Sequence, residues 1–406
     1  MEKVYNDQAN CCGCGICSSV CPKHAITMEC DQYGFVYPKI NIESCIDCGA
    51  CSRVCAFHNL NEAKDSRCYA AINTDAEELF KSTSGGVFAG IASMFLNDGI
   101  VCGAKATFCD GRMEVQHTVI DTESELATLQ GSKYVQSYLW PCISELRKAL
   151  ESGKKVLFSG TPCQVAGIKS LFGKYAKSQL YTIDIICHGV PSQSLFNDYI
   201  DGFQKENQIQ LVKFDFRNKK FGWSLDGLAV GKDLEGETTK KIPVSPGNSS
   251  YYRFFLSGET YRDSCYQCPF ACKNRVGDIT IGDYWGIEMY DPQLLRENGG
   301  TFEKNKGISC LLVNTNAGCE LMEKYGNKIQ CVPIKIEHVL KINKQLREPA
   351  KHSDLRSKLF KAYRKKGYVG IEEIYKKIKF ESNIKMAIKK VIPSEVWSIG
   401  KSILKK

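Results

Sequence analysis

No stretch of this 406-residue chain stays apolar for long. The longest runs, such as Val87–Phe95, are far too short to span a bilayer. The first eight residues, Met1 to Gln8, hold no apolar segment of the kind a secretory signal needs. Low-complexity tracts are also missing. These absences predict a globular protein that stays in the cytoplasm. No nucleic-acid recognition motif accompanies the positive charge, so the net +9 is not read as a nucleic-acid footprint. That charge is local: residues 351–406 carry sixteen Lys/Arg against five Asp/Glu, and the rest of the chain is slightly acidic.

Cysteine, by contrast, is abundant, at 22 residues. Without a leader, and with spacings of two and three residues, metal ligation explains it better than disulfides. The first run is Cys11-x2-Cys14-x2-Cys17-x3-Cys21-Pro22, and the second is Cys45-x2-Cys48-x2-Cys51-x3-Cys55-Ala56. This is the spacing of bacterial two-cluster ferredoxins, in which the fourth thiolate of each run serves the other cluster. The expected sets are therefore Cys11, Cys14, Cys17 and Cys55, and Cys45, Cys48, Cys51 and Cys21. Paired zinc knuckles seldom use three cysteines at successive short spacing. Cys12 is spare and is expected to be a small buried residue facing away. The intervening Tyr33–Pro38 offers too little apolar mass for a core, so the clusters must hold this segment together.

From Ser66 onward helical and strand patterns alternate. Helices are expected over 84–97, 123–130, 142–151 and 162–172, and strands over 100–107, 155–159, 181–187, 211–216, 276–281 and 307–313. The fold class is α+β with α/β: a two-cluster ferredoxin-like domain at 1–62, a larger mixed-sheet α/β domain at 66–345, and a basic helical tail at 346–406. The tail alternates lysines with apolar residues, as at Ile378–Phe380 and Ile399–Leu404, with Pro393 expected to break its last stretch. Solvated helices are the simpler reading, and contact with an anionic membrane or an acidic partner is the alternative.

Three segments of the large domain carry chemistry. Ser82-Thr83-Ser84-Gly85-Gly86 opens an apolar helix, an arrangement that suits a phosphate or an ordinary capped helix. Ser159-Gly160-Thr161-Pro162-Cys163 joins a strand to a helix, a usual cofactor-facing position. Cys265-x2-Cys268-Pro269-x2-Cys272 calls for a metal, with Cys163 or Cys187 as the fourth ligand. On ligand type alone, a structural zinc competes with a cluster there.

Together STSGGVFAGIA, GSKYVQS, SGTPCQVAGIKS, DIICHGVPS and CYQCPFACKNRVGDITIGDYWG resemble the coenzyme F-420 hydrogenase/dehydrogenase beta-subunit family over residues 66–345. The resemblance implies FAD in the large domain and a third 4Fe-4S cluster beside it. It puts Ser84, Gly85 and Gly86 on FAD phosphates and Lys133 and Tyr134 along the flavin, with the lysine charge able to stabilise a reduced ring. Gly160, Thr161 and Pro162 would form the turn at the cofactor. His188 would donate a hydrogen bond or a proton, or simply satisfy a backbone group. Asp283 and Trp285 would shape the pocket. The implied protein is an oxidoreductase that links ferredoxin or another redox protein to a small-molecule hydride donor or acceptor. A bare electron-transfer subunit and a redox-sensing scaffold are the competing classes. Cys30, Cys68, Cys102, Cys109, Cys142, Cys310, Cys319 and Cys331 lack ligand spacing and read as small apolar residues.

Overall fold

The computed structural model describes residues 4–58, 66–176 and 178–391, so the expectations for Pro393 and Ile399–Leu404 fall outside the described residues. The chain divides into two compact units, Met1–His352 and Ser353–Lys406. The cysteine-rich segment is thus part of the first unit.

That segment forms a small hairpin of β1 (Ile26–Cys30) and antiparallel β2 (Val36–Ile40). Asp31 Oδ1 closes its turn by accepting from Tyr33 N and Phe35 N at 2.8 and 2.9 Å. Two four-residue helices, Ile16–Ser19 and Ala50–Arg53, each start at a glycine in the left-handed region, Gly15 (φ 76°) and Gly49 (φ 68°). The local core is Val4, Ile26 and Ile40, filled out by Tyr5, Cys17, Cys21, Cys45 and Cys51. Cysteine side chains therefore make up much of the interior.

The large sheet is built from β3 (Arg67–Asn73), β4 (Gly99–Cys109), β5 (Arg112–Ile120), β6 (Lys155–Gly160) and β7 (Leu180–Ile185). A separate antiparallel sheet follows: β8 (Ile209–Asp215), β9 (Gly227–Asp233) and β10 (Thr239–Val244). The chain then returns to the large sheet with β11 (Ile279–Asp283), β12 (Ser309–Val313) and β13 (Ile329–Pro333). The order is β13-β3-β12-β11-β7-β6-β4-β5. Strands β4, β6, β7 and β11 are mutually parallel, and the remaining pairings are antiparallel. The expected mixed sheet is present.

Both faces of the parallel centre are covered, as such strands require. Leu157 and Ile183 face the helices Val87–Phe95 and Asn316–Tyr325. Val156 and Phe158 face Ile143–Glu151 and Pro162–Phe172, and Ile16 of the ferredoxin segment joins that second core. The helix expected from residue 84 begins only at Val87, because Gly86 takes a left-handed conformation (φ 75°) and Gly85 N donates to Ser309 Oγ at 2.9 Å. The β4–β5 hairpin was not anticipated, although its Asp110-Gly111 turn, both residues at positive φ, is a strong local signal. Cys68, Cys102, Cys142 and Cys310 are buried as expected, whereas Cys30 and Cys109 are exposed.

The second unit holds the helices Asp354–Lys366 and Tyr368–Val391, with Val369, Phe380 and Ile384 exposed on the longer one. Among the described residues no helix is long and apolar enough to cross a membrane.

Candidate redox site

Parallel strands end at a common edge, and loops leaving that edge can converge. Strand β6 runs into Gly160–Cys163, β7 into Cys187 and His188, and β11 into Asp283 and Trp285. Ser84–Gly86 reaches the same edge between β3 and β12: a Cβ on Gly85 would stand 2.3 Å from Ala71 O and 2.6 Å from Ser309 N. Only glycine permits this approach.

The thiols fall into groups. Cys11 feels Cys14 and Cys55, and Cys17 feels Cys14, Cys11 and Cys55 and, more weakly, Cys51. Burial pushes the Cys11 thiol up to about 11, and burial also raises Cys17 and Cys55. A second group, Cys21, Cys45, Cys48 and Cys51, lines one hollow together with Pro22 and Ile46. Backbone N–H groups point at several of these sulfurs, including Ala25 N to Cys21 Sγ at 3.2 Å. Among the described residues no three His, Cys, Asp or Glu side chains converge closely enough for one bare metal ion. A cubane spaces its thiolates more widely, one per iron.

A third group lies at the sheet edge. Cys187 feels Cys265, Cys163 and Cys268, and Cys268 feels Cys163 and Cys265. Cys163 and Cys187 are thus both present, where the sequence left one or the other. Cys272 Sγ is instead within hydrogen-bond reach of Asn274 O (3.2 Å) and Pro269 O (3.5 Å). The Cys12 side chain, expected to point away from its neighbour's, turns toward two other thiols. Its thiol interacts with that of Cys14 on one side and that of Cys163 on the other. Cys12, and then Thr161 Oγ1 at 3.2 Å, hold the Cys163 thiol down at about 7 against the effect of burial.

Beside the third group is a cation-rich, carboxylate-poor region. Arg217 pairs with Asp283 (2.6 Å), which also accepts from Trp223 Nε1 at 2.8 Å. Trp223 stacks on Trp285 with ring centroids 4.3 Å apart. Lys219 Nζ donates to Leu79 O and, at 2.6 Å, to Ser84 O. Lys133 Nζ donates to Leu129 O and Gln130 O at 2.9 and 2.7 Å, and Ser132 Oγ meets Thr83 Oγ1 at 3.3 Å. Burial lowers both lysines to about 7. Near neutral pH the Lys133 amine is therefore only partly protonated.

Tyr134 stacks on Phe255 (4.4 Å between centroids), and burial raises its phenol to about 12. Thr161 and Gln164 form a reciprocal cap on the helix that opens at Pro162. His188 is closely surrounded by protein yet its side chain remains open to solvent, as in the wall of a cleft. Burial lowers its pKa, and Asp283 partly offsets that. Lys219, Arg217 and Cys12 were missed as site residues. The run Arg217-Asn218-Lys219-Lys220-Phe221-Gly222-Trp223 was the available signal for the first two.

The chain is similar to several known proteins. Residues 68–143 match the sequence model described as coenzyme F420 hydrogenase/dehydrogenase beta subunit N-term, and 153–337 match the corresponding C terminus. Residues 10–59 match a 4Fe-4S dicluster domain. Coenzyme F420 hydrogenase subunit beta of Methanosarcina barkeri is 24% identical over 298 residues, covering 70% of this chain and 95% of that one. Coenzyme F420-dependent sulfite reductase of Methanocaldococcus jannaschii is 26% identical over 313 residues, 74% of this chain and 46% of that protein. A chain of the F420-reducing [NiFe] hydrogenase complex from Methanosarcina barkeri superposes with a TM-score of 0.43 at 17% identity, covering 70% of this chain and 89% of that one. The chain belongs to the coenzyme F420 hydrogenase/dehydrogenase beta-subunit family and carries a 4Fe-4S dicluster domain ahead of the family region.

Proposed function

We propose that the protein is an iron–sulfur flavoprotein oxidoreductase that passes electrons between ferredoxin-type 4Fe-4S clusters and a two-electron substrate through FAD. The outer cubane takes Cys21, Cys45, Cys48 and Cys51, and the inner one takes Cys11, Cys14, Cys17 and Cys55. A third takes Cys163, Cys187, Cys265 and Cys268. The observation that carries the reading is the Cys12 thiol between Cys14 and Cys163, because it makes the inner and third groups neighbours. Single electrons then have a continuous route from the exposed Cys48 end to the sheet edge.

The donor set fits these groups. Thiolates with backbone N–H groups aimed at sulfur suit cubanes. The Gly85–Gly86 turn, the helix N-terminus at Val87, Lys219 and Lys133 suit a dinucleotide's phosphates, which would supply the negative charge those lysines lack. When bound, FAD supplies the exchange between hydride and single-electron transfer. Around it Lys133 holds or yields a proton at Nζ, Trp285 and Trp223 exclude water, and Arg217 holds the Asp283 carboxylate in place. The relatives' names point to coenzyme F420 as the substrate class, and the beta-subunit relatives point to a redox protein as partner.

Anaerobic reconstitution followed by iron, sulfide and flavin analysis tests the reading, with about twelve irons and bound flavin expected. About eight irons would remove the third cluster, and absent flavin would remove FAD. Cys187→Ser should lose the third cluster's iron, whereas Cys272→Ser should keep it. Cluster reduction without turnover on reduced F420 or a nicotinamide donor would favour a plain electron-transfer subunit.

A further inference from the structure

We propose that Arg262 is the fixed positive charge that sets the reduction potential of the inner cluster. Its side chain is fully buried, at 0% exposure. Nε donates to Cys11 O at 2.7 Å, Nη2 donates to Val36 O at 2.8 Å and lies 3.9 Å from Cys11 Sγ, and Nη1 reaches Gln136 Oε1 at 3.3 Å. The guanidinium lies over the Tyr37 ring, 3.9 Å from its centroid. Among the described residues no carboxylate forms an ion pair with it. A buried cation without a counter-ion is strongly unfavourable. The charge-capable neighbours that act on it most are a phenol and thiols: Tyr37, Cys11, Cys12 and Cys265.

A cluster held by thiolates is an anion, and it supplies the missing counter-charge. Taking up one electron from an external one-electron donor adds one negative charge to the cluster and breaks no bond. A cation fixed in a low-dielectric interior favours that reduced form and raises the potential. The field of Arg262 reaches Cys11 and Cys14 of the inner group and Cys163 of the third. Cys51 of the outer group is acted on by Cys21 and Cys45 and in turn acts on Cys17 and Cys55 of the inner group. Arg262 is a positioning residue for charge and makes no contact with the substrate.

This inference rests on the proposed inner cubane. The test is a potentiometric titration with dithionite, monitored by electron paramagnetic resonance, on the anaerobically reconstituted full chain. Cys48→Ser identifies the outer signal. Arg262→Gln should move the inner midpoint to a more negative potential and leave the outer one in place, and Arg262→Lys should move it less. Gln136→Glu, which sets a carboxylate beside Nη1 without removing the arginine, should also move it negative. Unchanged inner midpoints in these variants, or equal shifts of the inner and outer signals, overturn the inference. If Arg262→Gln fails to take up iron, Gln136→Glu decides alone. A parent protein with no reducible iron overturns the proposed function as well, whereas a loaded parent with unmoved variants overturns only the role of Arg262.

Discussion

Ile16 of the ferredoxin segment is packed against Gly167 in the middle of the helix Pro162–Phe172. A Cβ on Gly167 would stand 2.5 Å from Ile16 Cδ1 and 3.7 Å from Cys14 Sγ. The missing side chain lets the inner thiol group rest directly on the large domain. Gly167→Leu is expected to force the two apart, at roughly 1–3 kcal/mol of stability. Ile16→Ala, at a site 1% exposed, is expected to cost about 2–5 kcal/mol. Thermal melts of the reconstituted protein measure both. A Gly167→Leu variant that melts like the parent would show the contact to be incidental.

Arg217 and Asp283 form a largely buried ion pair at the cleft. Arg217→Ala leaves the carboxylate without its cation, and a loss of about 3–5 kcal/mol is expected. Replacing both residues, as in Arg217→Met with Asp283→Leu, should recover most of that loss in denaturant unfolding. An equal loss in the single and double variants would contradict a pairing effect.

Acid sensitivity should trace to His117. Its ring is buried, stacked on Phe158, and within hydrogen-bond distance of Ser159 O (3.1 Å) and Ser137 Oγ (3.2 Å). Burial lowers its pKa to about 4. Between pH 4 and the unfolded value near 6.5 the unfolded chain binds a proton that the folded chain refuses. Stability therefore rises with pH across that window, by about 3 kcal/mol at most, and is fully present above it. His117→Gln should flatten the slope between pH 4 and 6.5 in unfolding measurements.

At the proposed FAD site, Lys219 and Lys133, both lowered by burial to about 7, would make phosphate binding pH-dependent. A phosphate raises the lysine pKa and so takes up a proton on binding. FAD affinity should fall as pH rises above about 7. Lys219→Met should weaken retention roughly tenfold or more and reduce that dependence. Fluorescence titration across pH 6–9 measures it, and a flat profile in the parent would argue against these lysines as phosphate partners.

Legibility differed with range. The eight ferredoxin cysteines could be singled out from local spacing, and the structure brings them close to one another. The Cys265–Cys272 motif was visible as well. Its internal spacing could not reveal that Cys272 would engage the carbonyls of Pro269 and Asn274, or that Cys163 and Cys187 would both arrive. Lys219 and Arg217 stand in a basic run whose burial is not written locally, because nothing in it distinguishes a solvated cation from one folded over a cleft.

The sequence by itself determined which side chains can bind iron, where the sheet's central strands run, and that the charge is concentrated beyond residue 350. Those properties depend on neighbours a few residues apart. Only the tertiary structure decided that Cys12 would bridge two thiol groups, that Arg262 would be buried beside Cys11 some 250 positions earlier, and that four strand ends would share one edge. Contacts of that kind are set by how parallel strands and their crossovers pack, and a linear spacing carries no record of them.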